Sequence, residues 1–463
     1  MKYNFLVSIY SIRAEYNIIH PWQNPQLSHG SCTGYCVEWN KKKYILTNDH
    51  CLGQMNLYAV ALTSPTRYPC KIISNSALHD LALLESDITN VLDPVVFDDE
   101  LPKDDEEYTL YSIHDSNLHI VRGFLRSIIQ DTYGGLRIIY RLELNSIHGD
   151  SGAPVFSKSG KVIGSNYASY EEEYGSLVLP YIFVVKDFFE RIDLYIKTKQ
   201  QFYYIELRIW VQYLTTRTTL CKYLGVEDKG VLVSSIRKTS MLYDTLKPLD
   251  VIQKINDIEI NSAGRVYITD IMKAIGFKPK PTKPTSANLA TVDIEFYISL
   301  LKPGEQLTLN IVRNKEHKTI KTQVMPTFFQ IPPYNAKPIS FLWCGIEFME
   351  ANHSIMSQLL KMNSITAKDE RTIFWEVKDK FIVLTAALAL FPAPSLDTIV
   401  DGVARFVHTV NDIEVESINH LKTLLKNNTE QYIKIKYYLS ETILVIDTKD
   451  IKNLDKEVYF KNF

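Results

Sequence analysis

The chain has 463 residues, too many for one core and enough for about three domains. Its 51 Lys and Arg against 53 Asp and Glu leave a net charge of −2, which argues against nucleic-acid binding by the chain as a whole. Hydrophobic residues at 46% and charged residues at 22% give an ordinary globular balance, and the longest apolar run, near Phe381 to Phe391, is too short to cross a membrane as a helix and reads as buried core.

The apolar run within Met1 to Tyr10 is too short for a signal peptide, and no small-residue cleavage site follows it. Six cysteines stand at no zinc-like spacing, since Cys32 and Cys36 lack a second paired cluster. These features predict a soluble, cytoplasmic chain with mostly reduced thiols, no metal site and no membrane partner.

Residues 1–200 read as many short strands with turn signals between them, a pair of β-barrels. Gly34 to Trp39 alternates, Asn40 to Lys43 turns, and Tyr44 to Thr47 returns. This hairpin delivers Asn48-Asp49-His50-Cys51. Further on, Leu78-His79-Asp80-Leu81-Ala82-Leu83-Leu84 puts an acid at the head of an apolar strand. Then comes Gly149-Asp150-Ser151-Gly152-Ala153-Pro154, a serine between two glycines. Gly149 frees the backbone so that its N–H and that of Ser151 point at one spot. Taken alone, His50 is a surface turn histidine, Asp80 a strand-start cap and Gly-Asp-Ser-Gly an ordinary turn. Their order lifts all three above that reading. His79 and His148 each lie beside one of these residues and are read as structural. Val184 to Ile196 carries apolar residues at helical spacing, a helix packed on the barrels. The polar stretch Lys197 to Gln201 then serves as a linker.

The remainder holds an internal repeat. Ile255-Asn256-Asp257-Ile258-Glu259-Ile260 recurs as Val410-Asn411-Asp412-Ile413-Glu414-Val415. Each copy reads as strand, tight turn, strand. The second is followed by an amphipathic helix from Ile418 to Leu425. The Pro-bearing stretch Pro326 to Pro338 divides the copies. The insertion Lys278 to Pro284 reads as a surface loop.

The serine loop resembles the nucleophile loop of chymotrypsin-like serine proteases, and His, Asp, Ser is their order. Leu46-Thr47-Asn48-Asp49-His50 and Asp80-Leu81-Ala82-Leu83-Leu84 resemble phrases of the HtrA (Deg) family. The repeat resembles the PDZ domains of those proteases. From His20-Pro21-Trp22-Gln23 to Ile443-Leu444-Val445-Ile446, the chain is most similar to the plant-type Deg proteases. The resemblance implies a mainly β architecture: a chymotrypsin-like double barrel in 1–200, a PDZ-like domain in 201–330 and a second in 331–463. It implies an ATP-independent endopeptidase acting on unfolded or damaged polypeptides, as a homo-oligomer of trimers or their multiples. In that mechanism Ser151 attacks, His50 takes its proton and Asp80 orients the imidazole. Gly149 and Ser151 N–H groups form the oxyanion hole, worth about 3 kcal/mol per donor, and no metal or cofactor is needed. The alternative is a proteolytically dormant chaperone or a PDZ scaffold with the same domains.

Departures from the family shape further expectations. Asp150 stands where HtrA proteins usually have Asn. In digestive relatives such an Asp pairs with a new N-terminus that starts Ile-Val-Gly-Gly; lacking that start, Asp150 must find another partner. Asp49 replaces the usual Ala beside His50. Asn145, six residues before Ser151, and Ser146 line the implied primary pocket, and neither is charged, which predicts cleavage after small or medium apolar residues. By the same resemblance Cys32 and Cys51 are neighbours with Cα atoms within about 7 Å, the alternative being two separately buried thiols. Glu206, in Tyr204-Ile205-Glu206-Leu207, stands where a PDZ carboxylate-binding loop has glycine, and its charge would repel an incoming carboxylate. Tyr223-Leu224-Gly225-Val226 is read as a decoy of that motif, and Cys344-Gly345-Ile346-Glu347-Phe348 as its second copy.

Overall fold

The structure, a computed structural model, describes residues 3–15, 26–53, 56–62, 64–114, 117–131, 137–170, 175–198, 203–227, 229–237, 240–277, 290–328, 339–343, 346–350, 383–387, 405–437, 443–449 and 461–462. The chain is mainly β and divides into two compact units, Met1–Arg13 with His29–Phe328, and Ala14–Ser28 with Phe329–Phe463. The His20 to Gln23 phrase, the Lys278 to Pro284 insertion, Cys344 and Gly345 lie outside the described residues. No helix among the described residues is long and apolar enough to cross a membrane.

The first sheet has seven strands in the order Tyr68–Pro69, Leu57–Ala61, Leu6–Glu15, Gln26–Trp39, Lys42–Thr47, Leu81–Glu85, Lys71–Ser76. The predicted hairpin is present with a tighter turn. Only Asn40 and Lys41 turn, both at positive φ (50° and 63°), and Trp39 pairs Lys42. Positive φ at both central residues matches the strand twist, which two-residue hairpins favour. Leu81 to Leu84 are all fully buried. Alternate side chains point to opposite faces of a strand: Leu81 and Leu83 enter one core cluster, Ala82 and Leu84 another. A strand buried on both faces therefore follows Asp80 and fixes that residue's position.

The second sheet closes into a barrel in the order Arg137–Leu142, Gly175–Pro180, Val162–Tyr170, Pro154–Phe156, Glu107–His114, Asn117–Asp131. Pro154–Phe156 pairs both Val162–Tyr170 and Glu107–His114, so the chain just after Ser151 is held on two sides. The predicted helix follows as a π-turn, Tyr181–Val185, and an α-helix, Lys186–Thr198. Phe188 and Ile192, one turn apart, are fully buried on the barrel core. Burial of each side chain contributes about 1.5–3 kcal/mol.

The same unit continues into a sheet ordered Ile209–Tyr213, Val231–Ile236, Val251–Ile255, Gln306–Arg313, Glu316–Gln323. Helices Thr218–Leu224, Ile268–Ala274 and Ile294–Ser299 flank it. The repeat's turn is the expected two residues: Ile255 pairs Ile258 across Asn256-Asp257. Gly225 is the left-handed C-cap of Thr218–Leu224, which removes it from contention as a ligand loop. Phe296 meets Phe183 of the π-turn edge-on with centroids 5.8 Å apart, so barrel and sheet share one core.

In the second unit the sheet order is Ile443–Asp447, Tyr432–Tyr437, Arg405–Val410, Val383–Ala387, Ile346–Glu350, Ser340–Trp343, Lys461–Asn462. Val410 pairs Ile413 across the second Asn-Asp turn. The predicted helix spans Ile418–Lys426, capped by Ser417 Oγ, which accepts from the His420 N–H at 3.1 Å. Its Leu421 and Leu425 are buried in that unit's core. Of the apolar run near Phe381 to Phe391, the described part is the strand Val383–Ala387.

Candidate active site

His50 sits in a 3₁₀ turn, Asp49–Cys51, directly after the strand Lys42–Thr47. Asp80 occupies the turn before Leu81–Glu85 at φ +51°, a left-handed conformation that Asp tolerates better than most residues. Its backbone carbonyl accepts from Asn48 Nδ2 at 2.8 Å. Both its carboxylate oxygens face His50: Oδ1 accepts from the His50 backbone N–H at 3.0 Å and Oδ2 meets Nδ1 at 2.8 Å. With Nδ1 donating to Asp80, Nε2 is the free acceptor. The His50 side chain is 44% exposed and Asp80 14%.

The serine loop is two successive turns. Asp150 N donates to Ile147 O at 3.1 Å and Ala153 N to Asp150 O at 3.0 Å. Gly149 (φ +100°) and Gly152 (φ +82°) take the third position of each, where positive φ is required. A Cβ on Gly152 would stand 2.1 Å from the Thr33 carbonyl oxygen, so only glycine fits. Thr33 holds the loop from both ends, its N–H donating to Ser151 O at 2.9 Å and its Oγ1 to Gly149 O at 3.0 Å. Among the described residues, the N–H groups of Gly149 and Ser151 donate to no protein acceptor. Ser151 Oγ donates to Tyr167 O at 3.4 Å, and no described hydrogen bond joins it to His50. Loose nucleophile–base contacts are common without substrate.

Cys51 follows His50, and its Sγ lies 3.9 Å from Ser151 O. It forms a disulfide with Cys32, Cα atoms 6.0 Å apart. The two were expected as neighbours; the bridge replaces the reading of separately buried thiols, while among the described residues Cys36, Cys70 and Cys221 form no disulfide. Asp49 is tied to Asn75, whose Nδ2 donates to its Oδ1 at 2.6 Å. Burial pushes its carboxyl up to about 6, against the Asn75 hydrogen bond. Asn145 is exposed and Ser146 buried.

Asp150 is fully buried and finds the partners its sequence context left open. Oδ2 accepts from Ile147 N at 2.8 Å; Oδ1 meets Ser112 Oγ, His114 Nε2 (2.6 Å) and His119 Nδ1 (3.2 Å). These partners were missed by sequence reasoning. Their signal is the period of two: Ser112 and His114 share one face of a strand, and His119 is the cross-strand partner of Ser112.

The two histidines read as structural stand apart from this chemistry. His148 is exposed in the turn. His79 is buried, with Nδ1 at 2.7 Å from Ser76 Oγ and Nε2 at 2.8 Å from Asp187 Oδ2. Desolvation lowers its pKa, against the pull of Asp187. Asp187 also accepts from Arg191 Nε at 2.7 Å, and Arg191 Nη2 donates to Ser299 O at 2.7 Å. Burial raises the Asp187 carboxyl, but Arg191 and His79 outweigh it and hold it low. One buried chain thus runs from the neighbour of Asp80 to the helix Ile294–Ser299.

Glu206 lies in the loop between Tyr203–Tyr204 and Ile209–Tyr213. Burial pushes its carboxyl up to about 8, with Glu295 adding and Arg208 and Arg237 opposing. Arg208 Nε is 4.0 Å from its Oε2, and neither atom finds a hydrogen-bond partner among the described residues. At neutral pH the group is therefore largely protonated, and repulsion of an incoming carboxylate, expected from the sequence, is weak there.

Residues 32–164 match the model of the trypsin-like peptidase domain. The chain is 20% identical over 466 residues to a putative mitochondrial Do-like 11 protease of Arabidopsis thaliana, covering 98% of this chain and 73% of that protein. It is 22% identical to the chloroplastic protease Do-like 2 of the same plant, covering 94% and 70%. A probable periplasmic DegP-like serine endoprotease of Bartonella henselae matches at 23% identity over 61% of this chain and 50% of that one. Among solved structures, the HtrA-type protease AlgW with a tripeptide aligns at TM-score 0.52 and 14% identity, covering 70% of this chain and 95% of that one; this likeness shows the fold alone. Residues 32–164 thus form a trypsin-like peptidase domain with its closed barrel and its His-Asp-Ser order, and the chain is similar along nearly its whole length to Deg-type proteases.

Proposed function

We propose that the chain is an ATP-independent endopeptidase that cleaves unfolded or damaged polypeptides through an acyl-enzyme. The observation that carries this is the two-oxygen grip of Asp80 on His50. It leaves Nε2 available as a base, and among the described residues the N–H groups of Gly149 and Ser151 have no protein acceptor and can take an oxyanion. In this reading Ser151 attacks the carbonyl, and His50 passes its proton to the leaving amine. Asp80 holds the tautomer and stabilises the imidazolium. The two N–H groups contribute about 3 kcal/mol each to the transition state. Asn145 and Ser146 form an uncharged primary pocket that selects small or medium apolar residues. The sheet of residues 203–328 is a PDZ-like regulator of the peptidase domain, coupled through Arg191 and Ser299, and the second unit is a PDZ-like assembly element of a homo-oligomer.

The test is covalent labelling with a serine-directed phosphonate and hydrolysis of denatured casein. Ser151→Ala should lose both while the fold persists, because the hydroxyl sits in a loop and contributes little stability. Hydrolysis by the variant near the wild-type rate ends the reading. Unlabelled wild type supports the dormant chaperone instead. Cleavage-site mapping on casein should show apolar residues before the cut; a dominant Lys or Arg pattern would remove the pocket assignment.

A further inference from the structure

We propose that Ser112, His114, His119 and Asp150 form a binding site for a divalent transition metal, zinc above all, behind the loop that carries Gly149 and Ser151. The observation is a convergence of four polar atoms. Asp150 Oδ1 lies 2.6 Å from His114 Nε2 and 3.2 Å from His119 Nδ1. Ser112 Oγ lies 3.2 Å from His114 Nε2 and 3.4 Å from His119 Nδ1, and donates to Asp150 Oδ1. The two imidazole nitrogens and the carboxylate oxygen all lie within 4.8 Å of one another.

Zinc binds imidazole and carboxylate at about 2.0–2.1 Å in a tetrahedron, which puts neighbouring ligand atoms about 3.3 Å apart. The Asp150–His119, Ser112–His114 and Ser112–His119 spacings lie at that edge length, and the shorter Asp150–His114 and Asp150–Ser112 hydrogen bonds open to it when the ion takes the place of their shared protons. Two imidazoles and one carboxylate favour zinc over calcium or magnesium, which prefer oxygen. The donors also come preassembled. Ser112 and His114 stand on one strand face, and His119 faces Ser112 across the hairpin. Asp150 is fully buried and its second oxygen is fixed by Ile147 N. The His114 and His119 side chains are 22% and 31% exposed, an entry path. Each imidazole offers the nitrogen that faces Asp150 and keeps its proton on the other, so binding needs only a tautomer exchange.

The site bears directly on the serine loop. The His114 ring fills the space where a Cβ on Gly149 would be, its Cε1 only 2.6 Å from that point. An ion holding His114 and Asp150 together therefore pins the backbone of Gly149 and Ser151. Binding requires neither Ser151 nor hydrolysis, so this proposal stands or falls apart from the protease reading.

Titration calorimetry of zinc chloride into the full chain tests it. One site per chain is expected, weakened on the order of 100-fold in His119→Gln and in Asp150→Asn. Equal affinity in folded variants, or no binding by the wild type, overturns the proposal. Cobalt(II) on the wild-type chain decides without any variant: a tetrahedral visible spectrum lacking a thiolate charge-transfer band is expected. A thiolate band would place the ion on reduced Cys32 and Cys51 beside His50 and overturn the assignment, as would an octahedral spectrum.

Discussion

Glu206→Gln isolates the effect of burying one carboxyl. Its folded pKa is raised to about 8, and the ordinary value is 4.5. The side chain is 14% exposed, so solvent screens it little. A tenfold change in an acid's ionisation constant is worth about 1.4 kcal/mol, and the difference between folded and unfolded chain amounts to about 3–5 kcal/mol once the group is fully ionised. The sign follows from proton counts: between the two pKa values the folded chain holds a proton that the unfolded chain has released. The stability contributed by this group is thus fully present below 4.5 and is lost as pH rises through about 8. Glutamine keeps the shape and never ionises. Urea unfolding followed by tryptophan fluorescence should give matching stabilities for the two proteins near about pH 4.5. The variant should lead by about 3–5 kcal/mol near about pH 9. Subtracting the curves removes Asp49, whose carboxyl burial also raises, to about 6, and leaves the Glu206 contribution together with its coupling to Glu295. A variant less stable than wild type at high pH would refute the reasoning, because it would mean that Arg208 and Glu206 form a net stabilising ion pair despite their 4.0 Å separation.

Two other substitutions probe the frame. Arg191→Met strips the buried Asp187 of its cation and Ser299 O of its donor, and should cost about 3–5 kcal/mol in urea unfolding; a loss under about 1 kcal/mol would show that His79 alone satisfies Asp187. Gly152→Ala forces a Cβ against the Thr33 carbonyl at positive φ and should cost more than about 2 kcal/mol and reduce Ser151 labelling even in folded protein, read by thermal unfolding and by the phosphonate probe.

Local chemistry made much of this chain legible before any fold was known. Gly149 and Gly152 announce turns because only glycine takes positive φ there without strain. The Asn-Asp pairs at 256 and 411 announce two-residue hairpins for a related reason, and the apolar spacing from Val184 marks a helix whose buried face includes Phe188 and Ile192. The order His50, Asp80, Ser151, with its flanking phrases, carries the resemblance to Deg-type proteases.

Tertiary structure decided what depends on residues far apart in sequence. The partners of Asp150 come from a hairpin some thirty residues earlier and are fixed by the register that sets Ser112 opposite His119. Glu206 reads as a charge in sequence, and its protonation follows from burial, which no local pattern encodes. His79 became a link to the next sheet only when Lys186–Thr198 brought Asp187 and Arg191 beneath it. The physical reason is common to all three. Turn and helix propensities act over a few residues, whereas desolvation and hydrogen-bond satisfaction depend on whatever the packed chain brings within about 3 Å.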